Sequence, residues 1–142
     1  MANLRASGVR DANRARRVLI VEDNRDTAEI VAIAVSRDGH EVRVAHDAES
    51  AIRIATDFKP DVAFLDIGLP GIDGFDLALA LRAIPQLQDC RLIAMTGYIL
   101  PPHRAARPPL FNDLLMKPLN VRKLQSLVFS LDHFEMSPAG GH

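Results

Sequence analysis

The chain has 142 residues, enough for one domain with a sizeable core, and its 48% hydrophobic and 25% charged residues are ordinary globular values. A formal charge of −1 gives no general reason to expect nucleic acid as a partner, and one cysteine, Cys90, excludes an internal disulfide and suits a reducing cytoplasm. The longest apolar runs, such as Ile30 to Val35, fall far below the roughly 18 residues a membrane span needs, and Val18 to Val21 is too short for a signal peptide.

Residues 1–16 mix Arg5, Arg10, Arg14 and Arg16 with small and polar residues and read as a disordered basic arm. Contact of this arm with an acidic partner or a phosphate backbone is the lesser alternative. Arg17 to Asp23 is a short β-branched strand that ends on the acid pair Glu22-Asp23. Asn24 or Asp26 can cap a helix running to about Arg37 and broken at Gly39. Its segment Ile30 to Val35 is apolar nearly all round, so one face is core. The surplus is either a partner surface or, the preferred expectation, packed by neighbours.

Glu41 to Ala45 alternates as a second strand, and Asp47 to Phe58 follows as a helix with Ala48, Ala51, Ile52 and Ala55 inward, closed by Lys59-Pro60. Asp61 to Asp66 is the third strand. Its unbroken apolar run predicts burial on both faces, as in a parallel sheet between helix layers, and it leads into a loop with Gly68, Pro70 and Gly71. Gly74 to Ala83 is a helix with Leu77, Leu81 and Ile84 on one side, stopped near Pro85. Arg91 to Thr96 is a fourth buried strand, residues 98–110 are irregular, and Asp113 to Lys117 is a fifth strand. A last amphipathic helix runs from Asn120 to about Asp132 with Val121, Leu124, Val128 and Leu131 inward, before a disordered tail over residues 133–142.

Strands alternating with helices predict an α/β fold, a doubly wound five-stranded parallel sheet in the flavodoxin-like order 2-1-3-4-5. In such sheets the functional crevice lies beyond the carboxyl ends of the strands, at the switch between strands one and three. Glu22, Asp23 and Asp66 then converge there, with Thr96 and Lys117 arriving from strands four and five. Three carboxylates together repel unless a cation sits among them, and an all-oxygen donor set suits Mg²⁺. Asp66 can attack phosphorus to give an acyl phosphate. The Lys117 ammonium neutralises charge opposite the metal, and the Thr96 hydroxyl can bond a phosphoryl oxygen. Backbone N–H groups around Ile67, Gly68 and Gly97 can bind the other oxygens, and the Gly68 carbonyl can complete the metal shell. Pro118 can follow a cis peptide that aims the lysine inward. Each signal alone is weak; their succession at the ends of core strands is what carries weight.

Val18 to Asn24, Phe64 to Gly74, Met95-Thr96-Gly97 and Met116-Lys117-Pro118 resemble the receiver domains of two-component response regulators across residues 17–132. The resemblance implies that Asp66 is the phosphoacceptor, Glu22 and Asp23 the Mg²⁺ carboxylates, Thr96 the switch hydroxyl and Lys117 the phosphate-sensing lysine. It also implies a sensor histidine kinase or histidine phosphotransfer protein as phosphoryl donor. Val42 to Asp47 and Thr96-Gly97-Tyr98 look most similar to receivers attached to, or split from, hybrid histidine kinases. Two departures stand out. Leu114 replaces the aromatic or His expected three residues before the lysine, so Thr96 lacks a ring to pull inward. The family's fourth helix, at about 100–108, is bounded here by Pro101-Pro102 and Pro108-Pro109 and is expected to be short or irregular. The neighbouring surface, which the family uses for output and for homodimers, is thereby altered.

The five histidines lack zinc spacing and read as solvated or capping side chains, and Tyr98 is either an exposed loop aromatic or a cover over the crevice. The leading expectation is a stand-alone, cytoplasmic phosphorelay module that is not a turnover enzyme and whose output goes through a partner protein. The alternative is an interaction module that keeps the fold but works without phosphorylation. A haloacid-dehalogenase-type phosphatase would need a second acid where Gly68 stands. A flavin carrier would want a phosphate loop where Glu22-Asp23-Asn24 stands.

Overall fold

A computed structural model of the protein describes residues 15–69, 73–97 and 110–129. In chain order these are β1 (Arg17–Val21), α1 (Arg25–Arg37), β2 (Glu41–Ala45), α2 (Ala48–Phe58), β3 (Val62–Asp66), α3 (Gly74–Arg82), a 3₁₀ turn (Pro85–Leu87), β4 (Arg91–Thr96), β5 (Asp113–Met116) and α4 (Val121–Phe129). The strands form one parallel sheet in the order β2-β1-β3-β4-β5, with Val21 opposite both Ala45 and Leu65, and Asp66 opposite Met95. Sheet order and fold class match the expectation. The expected arm up to residue 14, the proline-bounded helix near 100–108, Tyr98, Pro70, Gly71, Leu131 and the tail lie outside the described residues.

The layers follow from the pleat. On one face Leu19, Val21, Ala63, Leu65 and Leu92 pack beneath Ala51 and Ala55 of α2 and Leu77 and Leu81 of α3. On the other, Val18, Ile20, Phe64, Ile93 and Met95 pack beneath Val31 and Val35 of α1 and Leu124 and Val128 of α4. Burying each large side chain contributes about 1.5–3 kcal/mol, so both layers are needed to offset the ordering of the chain. Each helix starts on a polar cap: Asn24 Oδ1 accepts from the Thr27 N–H at 2.9 Å, Asp47 Oδ1 from the Ser50 N–H at 2.8 Å, and Asp73 Oδ1 from the Phe75 N–H at 2.7 Å. Asn120 Oδ1 does the same for the Lys123 N–H at 3.0 Å.

Gly74 opens α3 against the back of β3. A Cβ there would lie 2.5 Å from Ile67 Cα and 3.1 Å from the Asp66 carbonyl oxygen, so only glycine lets the helix start this close.

Four expectations fail in instructive ways. Arg16, assigned to the arm, is buried; its N–H donates to His40 Nδ1 at 2.9 Å and its carbonyl accepts from the Glu41 N–H at 3.0 Å. The apolar surplus of α1 is not packed by neighbours: Ile30 is 59% and Ile33 47% exposed. Val121 is exposed because it sits in the first turn of α4, before that helix settles on the sheet; Leu127 takes the inward place instead. His40 is neither solvated nor capping: it is 6% exposed, tilted against the Phe129 ring at 4.7 Å between centroids.

Candidate functional site

The crevice is assembled by strand ends. Val21 and Leu65 are register partners, so Glu22 and Asp66 emerge side by side from β1 and β3. The β4–β5 ladder is prolonged by the Lys117 N–H, which donates to the Thr96 carbonyl at 2.7 Å and directs the lysine across the same end. The Lys117–Pro118 peptide is cis.

Lys117 Nζ lies 2.8 Å from Glu22 Oε1 and 3.5 Å from Asp66 Oδ2. Glu22 is 1% exposed and its second oxygen accepts from the Asn24 N–H at 3.1 Å. Asp66 is buried, and its Oδ1 accepts from the Gly68 N–H at 2.9 Å. Asp23, the exposed member, completes a set of carboxylate oxygens that all lie within 4.8 Å of one another. Burial pushes the Glu22 carboxyl above its usual pKa; the lysine opposes that shift and the Asp66 carboxylate adds to it. Burial also works against the Lys117 ammonium, but Glu22 and Asp66 outweigh it and hold its pKa above the usual value. One ammonium thus faces three carboxylates, which leaves net negative charge in a half-closed crevice. An oxygen-only donor set of this charge fits a hard divalent cation such as Mg²⁺.

Thr96 is buried at the end of β4, beside the strand that carries Asp66. Gly97 is exposed and lies beside the stem of Lys117, whose Cβ is 4.0 Å from where a Cβ at Gly97 would stand. Ile67 does not keep the role expected for its N–H, which is already bonded to the Met95 carbonyl at 3.0 Å as a rung of the sheet. Leu114 is 39% exposed on β5, with only Leu115 of that strand buried. An open apolar cleft of about 230 Å³ adjoins Lys117, walled by Ile30 and Val31 of α1 and by Pro118, Leu119 and Val121.

A family model for the response regulator receiver domain matches residues 18–129. The chain belongs to that family. The receiver is 32% identical over 112 residues to an uncharacterized 14.6 kDa protein of Leptolyngbya boryana, covering 78% of this chain and 86% of that one. It is 29% identical over 116 residues to the DNA-binding response regulator MtrA of Mycolicibacterium paratuberculosis, covering 80% of this chain and 49% of MtrA, so it spans about half the length of that relative. Among solved structures it resembles the signal receiver domain of a DNA-binding response regulator from Colwellia psychrerythraea (TM-score 0.74, 25% identity, 82% of this chain and 98% of that one). It shares its fold with the chemotaxis response regulator CheY4 of Vibrio cholerae (TM-score 0.75, 24% identity, 83% and 99%).

One neighbour of the crevice, His46, reads in the sequence as a solvated or capping side chain. His46 Nδ1 lies 2.9 Å from the Glu22 carbonyl oxygen. The available signal was positional: His46 follows the last residue of the strand that pairs with β1. Among the described residues no helix is long and apolar enough to cross a membrane.

Proposed function

We propose that this receiver is a phosphoryl-accepting signalling module, and the observation that carries the reading is the Lys117 ammonium set between Glu22 and Asp66 with Asp23 alongside. Asp66 is the phosphoacceptor. One of its carboxylate oxygens attacks the phosphorus of a phosphohistidine, the O–P bond forms as the N–P bond breaks, and the donor imidazole leaves with its electron pair and takes up a proton from solvent. Glu22, Asp23, Asp66 and the Gly68 carbonyl would hold Mg²⁺, which supplies charge neutralisation for the phosphoryl oxygens. Lys117 would neutralise the opposite side, and the Thr96 hydroxyl and the Gly97 N–H would donate to the remaining oxygens. The acyl phosphate is lost again by hydrolysis, so the protein reports a signal rather than turning over a substrate.

The donor is a sensor histidine kinase or a histidine phosphotransfer protein in the cytoplasm. It meets the open apolar cleft and the exposed Ile30 and Ile33, which suit a helical surface brought up to the rim of the crevice. A second reading, phosphorylation-independent interaction, is favoured by Leu114, which offers Thr96 no ring to draw inward. Intact-mass spectrometry after treatment with Mg²⁺ and acetyl phosphate separates the two. One phosphoryl adduct on the wild type and none on Asp66→Asn is the expected result. An unmodified wild type leaves the interaction module standing.

A further inference from the structure

Glu22 is held by both of its backbone groups. Its N–H donates to the Ala45 carbonyl at 3.0 Å, the last main-chain rung between β1 and β2. Beyond that rung the chain bends at His46 and Asp47, and Asp47 gives its carboxylate to the first turn of α2. The Glu22 carbonyl therefore has no strand N–H opposite it, and the imidazole of His46 stands there instead, Nδ1 to oxygen 2.9 Å. A carbonyl only accepts, so Nδ1 carries the proton and donates.

The peptide that contains the Glu22 carbonyl also contains the Asp23 nitrogen, and a peptide unit is planar. A donor that fixes the carbonyl direction fixes where the Asp23 Cα leaves the plane, and with it how the Asp23 carboxylate stands relative to Glu22 and Asp66. We propose that His46 is a positioning residue for the divalent-cation site: its Nδ1–H sets the Glu22–Asp23 peptide so that the exposed Asp23 carboxylate is presented beside the two buried ones. The inference rests on the reading of this crevice as an Mg²⁺ site. His46 touches neither the cation nor the phosphoryl group; its effect passes through one peptide plane. Loosening such an outer partner typically weakens metal binding by about ten- to a hundredfold, and a solvent-facing carboxylate belongs at the lower end.

Two substitutions separate the donor from the ring. His46→Asn keeps an amide N–H at the same distance from the backbone as Nδ1 and discards the ring. His46→Phe keeps the ring and discards the donor. Isothermal titration of the full chain with MgCl₂, with the melting temperature measured with and without Mg²⁺, reads out affinity and stability apart from any phosphorylation. The expected result is a Kd about tenfold weaker for His46→Phe, a near wild-type Kd for His46→Asn, and a smaller Mg²⁺-induced rise in melting temperature for His46→Phe alone. Equal affinities in all three proteins, or losses that track the metal-free melting temperatures, would overturn the proposal while leaving the cation site intact. A wild type that binds no Mg²⁺ would overturn it together with the reading beneath it.

Discussion

The two ends of the sheet are built on opposite electrostatic principles. At the carboxyl ends of the strands Glu22, Asp23 and Asp66 crowd together with a single lysine, and the buried Glu22 is pushed away from its charged form. At the amino ends, polar side chains close over backbone groups. Arg82 donates to the Cys90 carbonyl at 2.6 Å and to Asn112 Oδ1 at 2.9 Å, and the same Asn112 oxygen accepts from the Leu92 N–H at 2.8 Å. Arg17 donates to the Phe58 carbonyl and lies over the Phe58 ring, with Arg43 4.7 Å from the same ring centroid. Asp61 Oδ2 accepts from the Arg17 N–H at 2.8 Å. One end is stabilised by what it contains; the other holds repulsion that a ligand can relieve. Stabilising contacts and crowded charge sit at opposite ends of the same five strands.

Substitutions at the two ends should therefore move stability in opposite directions. The largest effect is expected from Arg82→Ala. It strips charge-assisted bonds from partly buried acceptors and should cost about 2–3 kcal/mol by urea unfolding, with Arg82→Lys recovering little because it lacks the planar fork. The yield of phosphorylated protein should not change. A smaller effect of the other sign is expected from Glu22→Gln. Without metal it removes a carboxylate that burial and Asp66 disfavour more than Lys117 favours it, so the urea midpoint should rise slightly while Mg²⁺ no longer raises the melting temperature. A loss of stability there would erase the contrast between the ends.

The smallest effect is a pH dependence at the amino end. His40 accepts the Arg16 N–H through Nδ1, and burial, reinforced by Arg16 and opposed by Asp38 and Asp61, holds its pKa below the ordinary 6.5. The unfolded chain then takes up the proton first. Stability from this group is complete above 6.5, falls as the pH drops through that value, and levels off below the folded-state pKa. The urea midpoint should decline as the pH falls through 6.5, and His40→Asn, whose Oδ1 can take the same acceptor position, should flatten that slope.

How much of this was legible in the chain follows from what each signal depends on. The buried runs Val18–Val21, Val62–Leu65 and Leu92–Met95 announce strands because both faces must be apolar, and the acids at their ends follow from topology. The caps Asn24, Asp47 and Asp73 are local chemistry and equally readable. What could not be read is a contact between distant residues that the strand ends do not themselves bring together. His46 and Glu22, His40 and Arg16, and Arg82 and Asn112 are separated by 24, 24 and 30 residues. The exposure of Ile30 and Ile33 was hidden for the same reason, since composition says that a residue is apolar but not which neighbour fails to cover it.

The tight seat of Gly74 has a mechanical consequence. With Ile67 Cα 2.5 Å and the Asp66 carbonyl oxygen 3.1 Å from where a methyl group would stand, the first residue of α3 rests directly on the end of β3. A small displacement of the strand end that carries Asp66 is then passed on to the nine-residue rod that begins there rather than absorbed in a hinge. The far tip of that helix, where Arg82 grips the opposite rim of the sheet, is thereby tied to the strand end that carries Asp66.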